Sequence, residues 1–292
     1  MSRTVTVGLD GSPESVAAAH WAAGEAELLA APLRLVHAGD QPPHEYMPFA
    51  GEAVPPPDVD LSAHMLREVR VSLTHRHPGL LVTADRLTGR PATALAEAGR
   101  EAEILVLGSR GLGRAAGHLL GSVASAVLAR AEGPVVLVRA AGRQQRTDGR
   151  DPGRSPHRVV VLGLDLRDRP ADVVLAFAFD AAARRRAGLR IVHGRSPAAA
   201  QNDHIGVEPA AEPGESLTDV LRPWREKFPQ VEVAEETVVG TAGAHLVDAS
   251  REASLVVVGR GRRPAPLGPH VGQVTYQVLR EAAAPVAVVP HD

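Results

Sequence analysis

The most constraining feature of this sequence is that it repeats itself. Four segments of the first half recur in the second half, in the same order and at nearly constant spacing. The matched pairs are residues 5–12 (VTVGLDGS) with 160–167 (VVLGLDLR), 33–38 (LRLVHA) with 189–194 (LRIVHG), 89–108 with 240–259, and 127–138 with 278–289. An ordered set of matches of this kind indicates a tandem duplication. The fold must therefore be one that this chain can build twice.

The repeat sets the predicted domain organisation. The chain has 292 residues, which is enough for two domains that each bury a core. We predict a first copy at residues 1–140 and a second copy at residues 158–292. Residues 141–157 (AGRQQRTDGRDPGRSPH) are polar and show no apolar periodicity, which is typical of an exposed linker.

Short apolar runs alternate with amphipathic segments in each copy, as in βαβ units on a parallel sheet. In copy one we predict strands at residues 4–9, 33–38, 82–87, 104–108 and 135–138, and helices at residues 12–30, 61–77, 91–102 and 122–131. Ser12 is the predicted N-cap of the first helix, with Pro13 at its first position. The fourth and fifth strands are apolar throughout, which indicates a sheet covered on both faces.

Composition excludes several classes of function. The net charge of −2 gives no reason to expect a nucleic acid or an anionic membrane as a partner. No apolar run is long enough to span a bilayer, and the first residues enter a strand pattern directly, so we expect a cytoplasmic protein. The absence of cysteine excludes disulfides and zinc sites of the cysteine type. Lys227 is the only lysine and follows Glu226, so the Gly-Lys of a Walker-type loop is missing.

A glycine-rich segment, residues 108–122 (GSRGLGRAAGHLLGS), follows the predicted fourth strand of copy one. Ligands of open parallel sheets bind at the carboxyl ends of strands, and the free N–H groups at a helix N-terminus attract anions. Gly108, Gly111 and Gly121 would let the backbone approach a phosphate closely, and Ser122 would add a hydroxyl at the helix cap. The alternative is a flexible loop without a ligand.

The spacing of these glycines separates two kinds of site. A dinucleotide fingerprint of the dehydrogenase type requires G-x-G-x-x-G after the first strand, whereas Gly111, Gly113 and Gly117 have other spacing and follow the fourth. The full pattern here is G-x2-G-x9-G-S, joined to a first strand that ends in Asp10-Gly11-Ser12. With VGLDGS, GRPATAL and ILVLGSRG, this pattern resembles the universal stress protein family in its tandem form, over essentially all of both copies.

The resemblance implies a fold and a ligand. Each copy would be a Rossmann-like α/β domain with a five-stranded parallel sheet, of the adenine nucleotide alpha hydrolase-like type. The last strands, VVLV and VAVV, would pair inside one chain as an internal pseudo-dimer. The ligand would be ATP. If ATP binds, Mg²⁺ can accompany it through the phosphates and water, since such sites need few protein ligands. An unidentified protein partner would read the nucleotide state, and a homodimer of whole chains stays open.

The resemblance also implies roles for individual residues. Asp10, with Gly11 and Ser12, would lie at the adenine and ribose end, and Val36 with His37 would line the adenine pocket. The remaining predicted contacts are to the ribose and phosphates, and they are Gly108, Arg110, Gly111, Gly121, Ser122 and Val123. Because His37 and His193 recur in both copies, packing at the strand end is the favoured role for these imidazoles. Arg110, Arg114 and His118 are candidates to screen phosphate charge.

The second copy departs from the motif. Arg262 replaces the second glycine, Gln273 replaces the serine, and three prolines in residues 262–270 remove N–H donors. We therefore predict one nucleotide per chain, bound in copy one. No catalytic constellation is visible, so any ATPase activity would be slow. A nucleotide-free scaffold protein is the main alternative, and an ATP-pyrophosphatase-type enzyme is a distant third.

Overall fold

The computed structural model describes residues 4–39, 61–109, 120–140, 159–164, 171–195, 217–239, 242–261 and 271–291, and the statements below concern these residues. The strands are β1 (Thr4–Gly8), β2 (Leu33–Gly39), β3 (Val82–Thr88), β4 (Ala102–Gly108), β5 (Val135–Val138), β6 (Val159–Leu164), β7 (Leu189–Arg195), β8 (Val233–Val239), β9 (Ala253–Gly261) and β10 (Val286–His291). The helices are α1 (Pro13–Leu28), α2 (Leu61–Arg76), α3 (Pro91–Glu101), α4 (Ser122–Arg130), α5 (Asp172–Arg185), α6 (Leu217–Lys227), α7 (Ala242–Ala249) and α8 (Gln273–Glu281).

Each copy is a parallel sheet with the same strand order. In copy one the order is β3-β2-β1-β4-β5, and copy two repeats it as β8-β7-β6-β9-β10. All neighbours within a copy are parallel. The chain moves outward from β1 to β3 and then returns to place β4 on the other side of β1. The strand order therefore reverses between β1 and β4, where open α/β sheets bind their ligands.

The two sheets join into one. Strands β5 and β10 pair antiparallel, with Val136 opposite Ala287, and this pairing produces a ten-stranded sheet. The predicted pairing of the last strands inside one chain is confirmed. It makes both apolar strands central, which removes two edges that would otherwise be open to aggregation. Because β5 and β10 are antiparallel, the strands of the two copies run in opposite directions. The carboxyl ends of the copy-one strands and those of the copy-two strands therefore lie at opposite edges of the sheet.

The core is two hydrophobic clusters, one on each face of the sheet. Ile104 and Val106 of β4 point into the cluster under α1, α2, α5 and α6. Leu105 and Leu107 point into the cluster under α3, α4, α7 and α8. Alternating residues of one strand serve opposite faces, so a strand buried on both sides must be apolar throughout. The prediction of a sheet covered on both faces is confirmed.

A buried ion pair also links the copies. Glu25 of α1 contacts Arg185 of α5, and the two side chains are 2% and 10% exposed. Arg185 Nη1 also donates to the carbonyl of Ala181, 3.1 Å away. Glu25 and Arg185 come from different copies, so this pair depends on the internal pairing of the two domains.

Element ends differ slightly from the sequence prediction. Helix α1 ends at Leu28 rather than at Ala30, because Ala30 adopts a left-handed φ of 48°. Strand β4 begins at Ala102, two residues before the predicted start, and α3 ends at Glu101. None of the helices that the structure describes is both long and apolar enough to cross a bilayer.

Candidate functional site

The strand-order reversal brings together most of the residues that the sequence singled out. The turn at residues 10–12 follows β1, and Val36 and His37 lie in β2, which neighbours β1. Gly108 is the last residue of β4, on the other side of β1. Parallel strands end on one side of a sheet, so all of these residues lie near the carboxyl edge of copy one, where the strand order reverses.

The turn after β1 is built from its own side chains. Asp10 Oδ1 accepts hydrogen bonds from the N–H and the hydroxyl of Ser12, at 3.0 and 2.6 Å. Gly11 between them has φ of +82°, which favours glycine. Ser12 Oγ in turn accepts from Ser15 N–H at 3.1 Å and caps α1, as predicted. The cap is Ser12, and Asp10 holds that cap in place.

His37 is fixed by the backbone of the neighbouring strand end. Its Nδ1 lies 2.8 Å from the carbonyl oxygen of Leu9, which can only accept, so Nδ1 carries the proton. Val36 is fully buried, and its carbonyl accepts from Leu9 N–H at 2.8 Å. The Val36 side chain therefore packs in the core, and His37 braces the turn that leads to Asp10.

The end of β4 and the start of α4 lie at the same edge. Ser109 N–H donates to the carbonyl of Val138 at 2.7 Å, and the Ser109 carbonyl accepts from Gly121 N–H at 3.0 Å. This second bond ties the start of the helix to the end of the strand. Ser122 and Val123 are exposed in the first turn of α4. Gly121 is the N-cap, so the expectation that Ser122 occupies the cap is wrong by one residue.

The first turn of α4 is a potential anion site. Its N-cap, Gly121, has no side chain to accept from the N–H groups of the first turn, whereas Ser12 does so in α1. Gly121 has φ −60° and ψ 144°, values that any residue adopts, so the backbone does not require glycine there. Ser109 is 4% exposed, and its buried hydroxyl has no hydrogen-bond partner among the described residues. These features fit a phosphate-bearing ligand.

Several predicted positions lie outside the described residues. These are Arg110 and Gly111 of the motif, the phosphate-screening candidates Arg114 and His118, Arg262 and the prolines of copy two, and the linker at residues 141–157. In the part of the chain that the structure describes, no three histidine or acidic side chains are grouped as metal ligands.

The corresponding region of copy two is built differently. Strand β9 continues through Arg260 and Gly261, which pair with Pro290 and His291, whereas β4 ends at Gly108. A Cβ placed on Gly259 would lie 2.9 Å from Nε2 of His291. The repeat places Ala140, with only a methyl group, where copy two has His291. The imidazole therefore lies against the glycine that corresponds to Gly108.

The helix ends show what the copies share. Helix α8 also begins after a glycine, Gly272, so it too lacks a capping side chain at that position. Its first residue is Gln273 where α4 has Ser122. The N-cap of α5 is Ala171, whose methyl group cannot cap this helix as Ser12 caps α1. The architecture is common to both copies, while the side chains that would meet a ligand are not.

Sequence reasoning missed three features at these strand ends. The buried Ser109 hydroxyl was overlooked because it stands beside more conspicuous glycines. His291 lies against Gly259 in a region where β9 continues two residues beyond the position at which β4 ends. No sequence motif predicts this longer strand. Arg260 occupies the position in copy two that Ser109 has in copy one. Arginine is so common in this chain that one more arginine gave no signal.

Comparisons with known proteins agree with this architecture. The model of the universal stress protein family matches residues 1–139 and 156–290. The Mycobacterium tuberculosis universal stress protein Rv2005c is 33% identical over 293 residues, with 97% of this chain and 96% of that protein covered. A universal stress protein structure from Archaeoglobus fulgidus covers 100% of both chains, with a TM-score of 0.62 and 17% identity. The family match over both copies shows that this chain belongs to the universal stress protein family, in its tandem form.

Proposed function

We propose that this chain binds ATP, together with Mg²⁺, at a single site in copy one, and that nucleotide occupancy alters a surface that a partner protein reads. The observation that carries the proposal is the N-terminus of α4, which faces the strand-order reversal with Gly121 as its cap. Free N–H groups and the positive end of the helix dipole favour phosphate there.

The neighbouring groups support an adenine nucleotide rather than a bare anion. The Asp10 turn and His37 lie at the ends of β1 and β2, on the same side of the sheet as the end of β4, where a sugar and a base beside the phosphates would meet them. In this proposal Gly108, Gly121 and Ser122 with Val123 N–H hold the ribose and phosphates. Arg110 and Gly111 complete the motif. A bound Mg²⁺ would neutralise phosphate charge and use few protein ligands.

The contrast with copy two supports a single site. Gly259 has His291 against it, β9 stays in the sheet through Gly261, and Gln273 replaces the serine of the motif. A side chain that already occupies the approach to the backbone competes with a ligand for the same volume. We therefore assign the nucleotide to copy one.

A matched pair of glycine variants tests the proposal. Gly121 and Gly272 are both helix N-caps with nearly equal backbone angles, and a Cβ on Gly272 would have no atom within 4 Å. Gly121→Val should weaken ATP binding at least about a hundredfold by filling the space of a phosphate, while Gly272→Val should leave binding unchanged. Calorimetric titration with Mg-ATP measures both.

The outcomes separate the two classes of function. Equal loss of affinity in both variants, or no loss in Gly121→Val, would contradict the assignment to α4. If the unmodified protein shows neither heat of binding nor a thermal shift with Mg-ATP, the nucleotide-free scaffold is the better account. Small molecules released from the freshly purified protein can be identified by mass spectrometry as an independent check.

A further inference from the structure

The two ends of α4 meet different copies of the chain. Its N-cap, Gly121, lies in copy one beside the end of β4. The opposite end is Ala131, whose carbonyl oxygen accepts a hydrogen bond from Arg260 Nη2 at 2.6 Å. Arg260 belongs to β9 of copy two and is 7% exposed. A nine-residue helix, about 13 Å long, therefore joins the proposed phosphate site to the other copy.

A second arginine makes the reciprocal contact. Arg139 follows β5 of copy one, and its Nη2 donates to the carbonyl of Arg280 at the end of α8. The same nitrogen lies 3.4 Å from the carbonyl of Leu279. Each copy thus supplies a guanidinium to the C-terminal carbonyls of a helix in the other copy. Only one of these helices, α4, leads to the proposed nucleotide site.

The two arginines do not occupy equivalent positions. In the alignment of the two copies, Ser109 is equivalent to Arg260, and Arg139 is equivalent to Pro290. Copy two therefore has an arginine where copy one has the buried Ser109, the residue after the end of β4. The residue that takes the place of this serine in copy two is therefore the one that contacts copy one.

We propose that Arg260 is a positioning residue for the nucleotide site of copy one, an inference that rests on the proposed function. The last carbonyls of a helix have no partner within the helix and carry partial negative charge, so a buried guanidinium there stabilises and fixes the helix. A fixed α4 keeps the N–H groups of its first turn in place before the ligand arrives. Without Arg260, the ligand must order the helix as it binds, which lowers affinity.

The test uses the full chain and a matched pair of variants. Arg260→Met and Arg139→Met each keep a long side chain with an apolar stem, and each removes one guanidinium from one helix end. Arg260→Met should raise the dissociation constant of Mg-ATP about fivefold to tenfold, whereas Arg139→Met should leave it unchanged. Arg260→Lys retains a donor and should keep most of the affinity. Hydrogen exchange without ATP should accelerate in α4 for Arg260→Met and in α8 for Arg139→Met.

The results distinguish this inference from the proposed function. Equal losses of ATP affinity in the two methionine variants would show a general effect of loosening the interface and would overturn the role of Arg260. Unchanged exchange in α4 would overturn it as well, even if the unmodified protein binds no ATP. Absence of ATP binding in the unmodified protein, with faster α4 exchange in Arg260→Met, would reject the proposed function and retain Arg260 only as a helix anchor. If Arg260→Met does not fold, Arg260→Lys and Arg139→Lys provide the same comparison.

Discussion

The end of β4 in copy one and the end of β9 in copy two are equivalent in the repeat, but the two strands end at different places. In copy one the strand ends at Gly108, and a glycine-rich sequence follows. In copy two the strand continues through Arg260 and Gly261, with His291 against Gly259. Both copies keep the same strand order, but only copy one keeps the G-x2-G-x9-G-S spacing in its sequence. A duplicated fold can thus retain its architecture while the residues at equivalent strand ends diverge.

The largest expected effect concerns the ion pair that holds the compared copies together. Glu25→Ala should lower the free energy of unfolding by about 3–5 kcal/mol, because Arg185 would be left buried without its carboxylate. Replacing both residues by methionine should recover most of this loss. Urea unfolding of the two variants measures the difference.

An exposed pair serves as the control. Arg100 and Glu132 contact each other at 2.8 Å with side chains 55% and 58% exposed. Arg100→Ala should cost less than about 1 kcal/mol. If Glu25→Ala costs no more than Arg100→Ala, the two copies are not held together by this contact.

A second expectation concerns a position at which the copies should behave alike. A Cβ on Gly8 would lie 2.6 Å from Leu107 Cδ2, and one on Gly163 would lie 2.7 Å from Leu246 Cδ1. Gly8→Ala and Gly163→Ala should each cost about 1–3 kcal/mol, since the leucine must repack. Gly24→Ala, in open space within α1, should instead stabilise by about 0.5–1 kcal/mol. Thermal unfolding of the three variants compares these values. A large loss in only one copy would show that the shared core has diverged too.

The smallest effect exchanges a helix cap between the copies. Ser12→Ala removes the cap of α1 and should cost about 1 kcal/mol, while Ala171→Ser offers α5 a cap and should gain a few tenths to about 1 kcal/mol. Chemical denaturation resolves both changes. Since Asp10 holds Ser12, the first variant should also weaken nucleotide binding, and the second should not. Equal effects on ATP affinity would contradict the assignment of the site to copy one.

The sequence predicted the repeated architecture well because the information is local and redundant. Apolar runs, the Ser12 cap and the order of four matched segments each indicate the same α/β unit, and the structure confirms the strands and the central β5–β10 pair. The contacts between copies were not predictable in this way. Glu25 with Arg185, and Arg260 with Ala131, join residues 160 and 129 positions apart, and nothing in the pattern of either segment specifies its partner.

The candidate site was predictable only in outline. Glycine spacing and the Asp10-Gly11-Ser12 turn indicated residues that the structure places at the ends of β1 and β4, and the carboxyl ends of these parallel strands meet on one side of the sheet. The buried state of Val36 and the orientation of His37 depend on the register of β2 against β1, which the sequence does not state. The assignments of Arg110 and Gly111 remain predictions.

Titration of the unmodified full-length chain with Mg-ATP tests the central claim most directly, because the claim is a stoichiometry. Calorimetry should give one site per chain, and the site should be lost in Gly121→Val and retained in Gly272→Val. Two equivalent sites would contradict the proposed divergence of the copies. No binding up to roughly millimolar ATP would contradict the assignment of a nucleotide to this chain.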